Sequence, residues 1–249
     1  MANPSNLNSK LDPVIAVNQN IKEVSTTQQA PLGTRIRVGE RTFHYAQASA
    51  SVSGGTVVCS LGPVASHQSG ILAMAAASVD QTVLSGTSSA SVAANYYAEG
   101  YFGVATGTNI GEMYRIKSNA AGSTGFAITL YDGLVTAITS GTGFYLTPNP
   151  FTNVFVGSQA LDMAIGVAPV NVTSGGYAWF QTWGPCGVKH VAATPANGVL
   201  VLGTTGGVAV TADATTGGGL SAVALPIGKN SRLAATAGQA NPVFLTILP

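Results

Sequence analysis

The chain has 249 residues, ten of them Lys or Arg and nine Asp or Glu, so charge occupies 8% of positions and the net charge is +1. Ordinary soluble domains carry charge at roughly a quarter of their positions, and a surface this sparsely charged lacks the repulsion that keeps proteins apart; it is a surface made to be covered. The balance offers no clustered basic face for nucleic acid, and apolar runs such as 70–77 and 199–202 fall short of the ~20 residues of a membrane helix, so neither nucleic acid nor membrane is an expected partner.

Residues 1–30 are rich in Asn, Gln, Ser and Pro and show no sustained period of 2 or 3.6. They read as an extended N-terminal arm, either a disordered tail or a segment that becomes ordered on a neighbouring subunit. The first 14 residues show neither the basic patch nor the apolar segment of a signal peptide. That predicts a protein made in a cytoplasm and kept there, or carried out inside a larger particle. Eight charges lie in the first 41 residues, Arg35 and Arg37 among them, whereas 42–79, 133–161 and 190–212 have none.

Beyond Pro31 the signals are those of strands. Residues 34–38 alternate, Gly39-Glu40 turns, and 41–45 returns, which reads as a β-hairpin. Further strands are expected at 56–61, 114–117, 125–131, 143–147, 153–156, 177–183, 199–202, 208–211 and 243–248, most of them bounded by Gly, Pro, Asn or Asp. Asp132-Gly133 reads as a hairpin turn, and Glu112 with Arg115 and Lys117 as a solvated strand face. Two Ala-rich segments, 70–79 and 88–97, are candidates for short helices. The expected fold is mainly β, with sandwich or small-barrel units, an extended arm and little helix. A soft boundary at 168–176 divides it into the arm 1–30, a β-rich domain 31–169 and a C-terminal domain 170–249.

The residues that carry chemistry elsewhere form no recognisable motif here. His44, His67 and His190 stand outside any triad pattern. Residues 121–125 lack the first Gly of a nucleophile elbow and have no helix pattern after them. No pair of Cys or His has metal-ligand spacing. Residues 141–146 read as a turn rather than a dinucleotide loop, and Gly228-Lys-Asn lacks the upstream Gly of a phosphate loop. Glu99, Glu112, Asp132 and Asp162 are the acids a glycosidase would have to pair. No catalytic, cofactor or metal residue is expected. Cys59 and Cys186, 127 positions apart, are either small buried hydrophobes or a pair, within the chain or across subunits.

At 177–183 a period of 2 places Tyr177, Trp179, Gln181 and Trp183 on one strand face and Ala178, Phe180 and Thr182 on the other. Such a strand is buried on both sides, and its tryptophans are either core or the anchors of a subunit interface. Trp179, Trp183 and Tyr177, with Arg35 and Arg37 of the first hairpin, are the candidate interface residues.

The stretch from Gly175 to Val188, GGYAWFQTWGPCGV, resembles a pattern in structural proteins of tailed bacteriophages. There a Gly-Tyr-x-Trp-x-Gln strand leads into a Gly-Pro turn and a small β-barrel. Gly166 to Val170 before it is similar too, as are 112–119, 128–134 and 145–150, and the opening 32–34 with 41–46. Together these cover about a third of the chain, in compatible order. The resemblance implies a capsid-associated protein of the head decoration or cement type, not an enzyme, located on the virion surface. Its implied partners are the major capsid protein and other copies of itself, with trimers at local three-folds as the expectation from shell symmetry. A main shell subunit and a receptor- or glycan-binding spike are the alternatives.

Overall fold

The structure is a computed structural model that describes residues 19–62, 64–67, 72–87, 90–107, 109–123, 125–157, 163–192, 199–202, 206–210, 226–230 and 236–248. It is mainly β, and its contacts divide the chain into two compact units, Met1–Val58 with Val156–Pro249, and Cys59–Phe155. In the first unit, β1 (Arg35–Val38) and β2 (Arg41–Gln47) form the expected hairpin, with Val38 opposite Arg41. The two-residue turn uses Gly39 at φ +63°, a conformation that costs glycine little. The chain leaves this unit through β3 (Val57–Cys59).

The second unit is a closed barrel. Its strands are β4 (Leu72–Met74), β5 (Val83–Thr87), β6 (Tyr101–Val104), β7 (Met113–Asn119), β8 (Gly125–Leu130) and β9 (Gly143–Thr147). They close antiparallel in the order β4-β5-β8-β7-β6-β9. Alternation sets the wall: Tyr114 and Ile116 face in while Met113, Arg115 and Lys117 face out. The interior is filled by Phe102, Phe126 and Phe144, whose rings pack at 5.2–5.6 Å, with Leu84, Ile116, Ile128 and Leu146 around them. A narrow barrel is a packed core rather than a channel.

Both expected helices belong instead to the barrel's pairing. Residues 72–74 are β4, Ala77 bridges Ile138, and Val92 bridges Gly122. Asp80, Asn95 and Glu99 adopt positive φ (63°, 59° and 60°), which stops a helix, and short Ala runs alone do not overcome the cost of nucleation. Asp132-Gly133 is not a hairpin turn either, because β8 pairs with β5 and β7. Gly133 instead packs on the backbone of Asp80, where a Cβ would lie 2.7 Å from the carbonyl oxygen.

The chain returns to the first unit through β10 (Phe155–Val156), β11 (Ala164–Val167), β12 (Tyr177–Lys189), β13 (Val199–Leu202), β14 (Val208–Val210), β15 (Pro226–Asn230) and β16 (Ala240–Thr246). Its ten-stranded sheet runs β10-β3-β11-β12-β16-β15-β13-β14, with β2 and then β1 branching from β12. β12 is the hub, pairing with β11, β16 and β2.

The expected division at 168–176 is therefore not where the contacts divide. That segment joins the paired strands β11 and β12, and Val172 bridges Val52; a Pro- and Gly-rich stretch serves a turn between partners as well as a linker. The closed barrel lies in 59–155, and the strands after 170 belong to the open sheet. Nor does Gly184-Pro185 turn the chain: both residues sit within β12. Gly184 takes φ +86°, and its missing Cβ would lie 2.7 Å from the Glu40 carbonyl oxygen. Pro185 falls just beyond the end of β2's pairing at Trp183, a place where a strand tolerates proline.

Of the N-terminal arm, 1–18 lie outside the described residues. From Gln19 to Ala30 the chain lies on its own unit, with Ser25 bridging Tyr177 and the Gln29 amide donating to the Tyr45 hydroxyl at 3.1 Å.

Candidate docking face

Paired residues in an antiparallel sheet stand on the same face, so the registers show which side chains share a surface. One row crosses β1, β2, β12 and β16 as Arg37, Thr42, Trp183 and Thr246. A second crosses β12, β16, β15 and β13 as Pro185, Phe244, Lys229 and Val199. Trp183 meets Phe244 edge-on at 5.8 Å, which joins the two rows. Along β16 the buried residues are Val243 and Leu245, so the sheet's covered side is apolar as usual. The other side should be polar, yet it carries Phe244 at 43% exposure, Val199 at 36% and an exposed Pro185. Beside them lies a surface pocket of 370 Å³ lined by Val199, Pro226, Gly228, Lys229, Phe244 and Thr246.

Three of the five residues expected at an interface meet on this face. Arg35 and Arg37 are exposed on β1, and Trp183 is half-buried opposite Thr42. The other two lie elsewhere. Trp179 is fully buried core: its ring packs on Tyr45 at 4.9 Å and its indole N–H donates to the Gln19 carbonyl at 3.1 Å. Tyr177 stacks on Tyr45 at 6.2 Å, and Gln19 Nε2 donates to its carbonyl at 2.8 Å. The single-face reading of 177–183 fails because the register shifts between Gln181 and Trp183, which takes Trp183 out of the alternation. Phe244, Val199 and Lys229 were missed. The alternation of β16 exposes Phe244 in the sequence, but its neighbours come from strands that only the fold brings beside it.

Comparison with protein-family models, with curated proteins and with solved structures finds no match for this chain.

The remaining candidates are held in structural settings. His44 is buried on β2 with Nδ1 3.1 Å from the Thr182 hydroxyl; burial, then the charge of Arg35, lowers its pKa to about 4. His67 is buried with Nδ1 2.6 Å from the Tyr97 hydroxyl, and burial pushes the Tyr97 pKa up. His190 is buried next to Gly238 and Gln239, and burial lowers its pKa. Neither Cys59 nor Cys186 is in a disulfide; burial pushes the Cys186 thiol up to about 12, which keeps it protonated and unreactive.

Glu112 does not share a solvated face with Arg115 and Lys117. It accepts hydrogen bonds from Tyr114 at 2.5 Å and Thr136 at 2.7 Å, which hold its carboxyl below the usual range. Glu99 is the acid that meets Arg115, at 3.5 Å. Gly125 of the elbow-like stretch opens β8 rather than a helix, Gly228-Lys-Asn is part of β15, and Asp162 lies outside the described residues. Among the described residues, no cluster of His, Cys, Asp or Glu is arranged for a metal ion, and no helix is long and apolar enough to cross a membrane.

Proposed function

We propose that this protein is a structural component of a bacteriophage head that decorates or cements the capsid through contacts with the major capsid protein and with copies of itself. The face of Trp183, Pro185, Phe244 and Val199 carries the assembly part of the reading, since it places large apolar groups on the side of the sheet that water would otherwise cover. Covering apolar area contributes about 25 cal/mol per Å², and repetition over a lattice multiplies modest contacts. The choice of a phage head rests on the stretches that resemble phage structural proteins. β2 and β12 bear two of those stretches, and β12 also bears Trp183 of the face.

The test is sedimentation of the purified chain with heads stripped of their outer proteins. The reading predicts saturable binding that Phe244→Ser and Trp183→Ser abolish while the fold persists; a wild-type chain that stays in the supernatant contradicts it. A second reading, a glycan-binding spike, draws on the barrel's outer wall. There the Tyr145 ring occupies the space a side chain at Gly103 would fill, with a would-be Cβ only 2.1 Å from Cζ, and Tyr101 is exposed on the same strand as Gly103. Aromatic rings so presented suit sugar stacking, and binding on a glycan array by the isolated chain would favour that reading.

A further inference from the structure

We infer that the surface received by this face is apolar at its centre and carries carboxylates at its margins, and that it belongs to a different protein rather than to a second copy of this chain; the inference rests on the assembly reading above. The charge pattern argues for it. Arg37 on β1, with Arg35 two residues before it on the same face, stands at one end of the first row; Trp183, Pro185 and Phe244 follow on β12 and β16, and Lys229 on β15 comes next, between Phe244 and Val199 on β13. Neither row contains an Asp or Glu, and the hairpin's own acid, Glu40, is in the turn between β1 and β2. Arg37 is braced by donating from Nε to the Gly39 carbonyl at 3.0 Å, which leaves its terminal N–H groups to face outward. Neither Arg37 nor Lys229 meets a carboxylate among the described residues.

A cation covered by a partner needs a carboxylate or carbonyl to replace its water. In a two-fold contact between copies the same patch meets itself. Arg37 would then face itself or Lys229 of the other copy, with no acid in either row to intervene, so the apolar centre would close against like charges. A partner with an aliphatic or aromatic centre and flanking Asp or Glu satisfies both parts of the face at once.

The experiment measures binding of fluorescently labelled peptides to the full chain by anisotropy. The probes are a Phe-Leu-Leu centre flanked by aspartates, the same centre flanked by lysines, and a Ser-Ser-Ser centre flanked by aspartates. The expected result is that the first binds at least about tenfold more tightly than either of the others and weakens with salt. Arg35→Glu with Arg37→Glu should reverse the preference towards the lysine-flanked peptide, whereas the Arg→Lys pair should retain the original order; circular dichroism checks that each variant folds. Equal binding of the two charged peptides, or none by the aspartate-flanked one, overturns the inference. So does wild-type self-association that Phe244→Ser abolishes, which would make the occupant a second copy. The two readings separate in the head assay. Heads that bind the wild-type and charge-reversed chains alike sink the acidic-partner inference and leave the assembly reading standing; heads that bind neither sink the assembly reading, while the peptides still decide the charge question.

Discussion

Acid should weaken the ten-stranded sheet through His44. This residue is 9% exposed, lies opposite Arg35 in the β1–β2 register and has a pKa lowered to about 4 by burial and then by that arginine. In the unfolded chain it titrates near 6.5. The fold holds the imidazole neutral, so its contribution is complete above pH 6.5 and is lost as pH falls from 6.5 through 4, where the unfolded chain takes up the proton first. Between pH 7 and pH 5 the linkage amounts to about 1.8 kcal/mol at full strength, and solvent screening near the sheet's exposed face brings it down towards about 1 kcal/mol. Urea unfolding followed by tryptophan fluorescence reads this unit directly, because both tryptophans lie in it. The difference in unfolding free energy between pH 7 and pH 5 should be smaller by that amount in His44→Asn than in the wild type, a comparison that cancels the contribution of His190. Equal pH dependence in the two proteins would refute the placement of a buried neutral His44 beside Arg35.

Gly184→Ala should destabilise the same unit by about 2 to 3 kcal/mol, since it forces a side chain into positive φ and against the Glu40 carbonyl; an unchanged urea midpoint would contradict that packing. Gln19→Ala removes the acceptor of the Tyr45 hydroxyl and two donated bonds, to the carbonyls of Glu23 and Tyr177, and should cost about 1 to 3 kcal/mol in the same assay. By the same logic a chain beginning at Pro31 loses the cover of Trp179, so its tryptophan emission should shift red and its thermal midpoint fall. Tyr97→Phe deletes the buried bond to His67 and should destabilise the barrel by about 1 to 3 kcal/mol, read by near-ultraviolet circular dichroism. Phe244→Ser, at an exposed position, should leave stability within about 1 kcal/mol while removing binding to heads.

The hairpin of β1 and β2 was legible because its alternation flanks a Gly-containing two-residue turn, and local turn chemistry is written in adjacent residues. The strands β7 and β8 were legible as runs at 114–117 and 125–131, and the outward place of Arg115 and Lys117 with them. Barrel closure was not, because β9 pairs with β4 and β6 from distant parts of the chain, and no local pattern encodes a long-range partner. The Ala-rich residues near β4 and Val92 misled for a related reason: their helix propensity is weak, and pairing with distant backbone outweighs it. Gly184-Pro185 has the composition of a turn, yet both residues pair with β16 inside β12, where Gly184 sits against the Glu40 carbonyl. The face lies at the same limit. Arg37 and Trp183 are 146 positions apart and become neighbours only through Thr42. The arm reading of 1–30 did not anticipate Gln19, whose side chain and carbonyl are tied to Tyr45, Tyr177 and Trp179 of the chain's own sheet.

The most direct measurement is cryo-electron microscopy of particles from the source, at a resolution that places β12 and β16. The account predicts this chain as a regular outer layer on an icosahedral shell, with Trp183 and Phe244 turned onto a separate shell protein. The chain as the continuous shell, at a vertex or tail only, or on the shell with Trp183 and Phe244 facing solvent would contradict it.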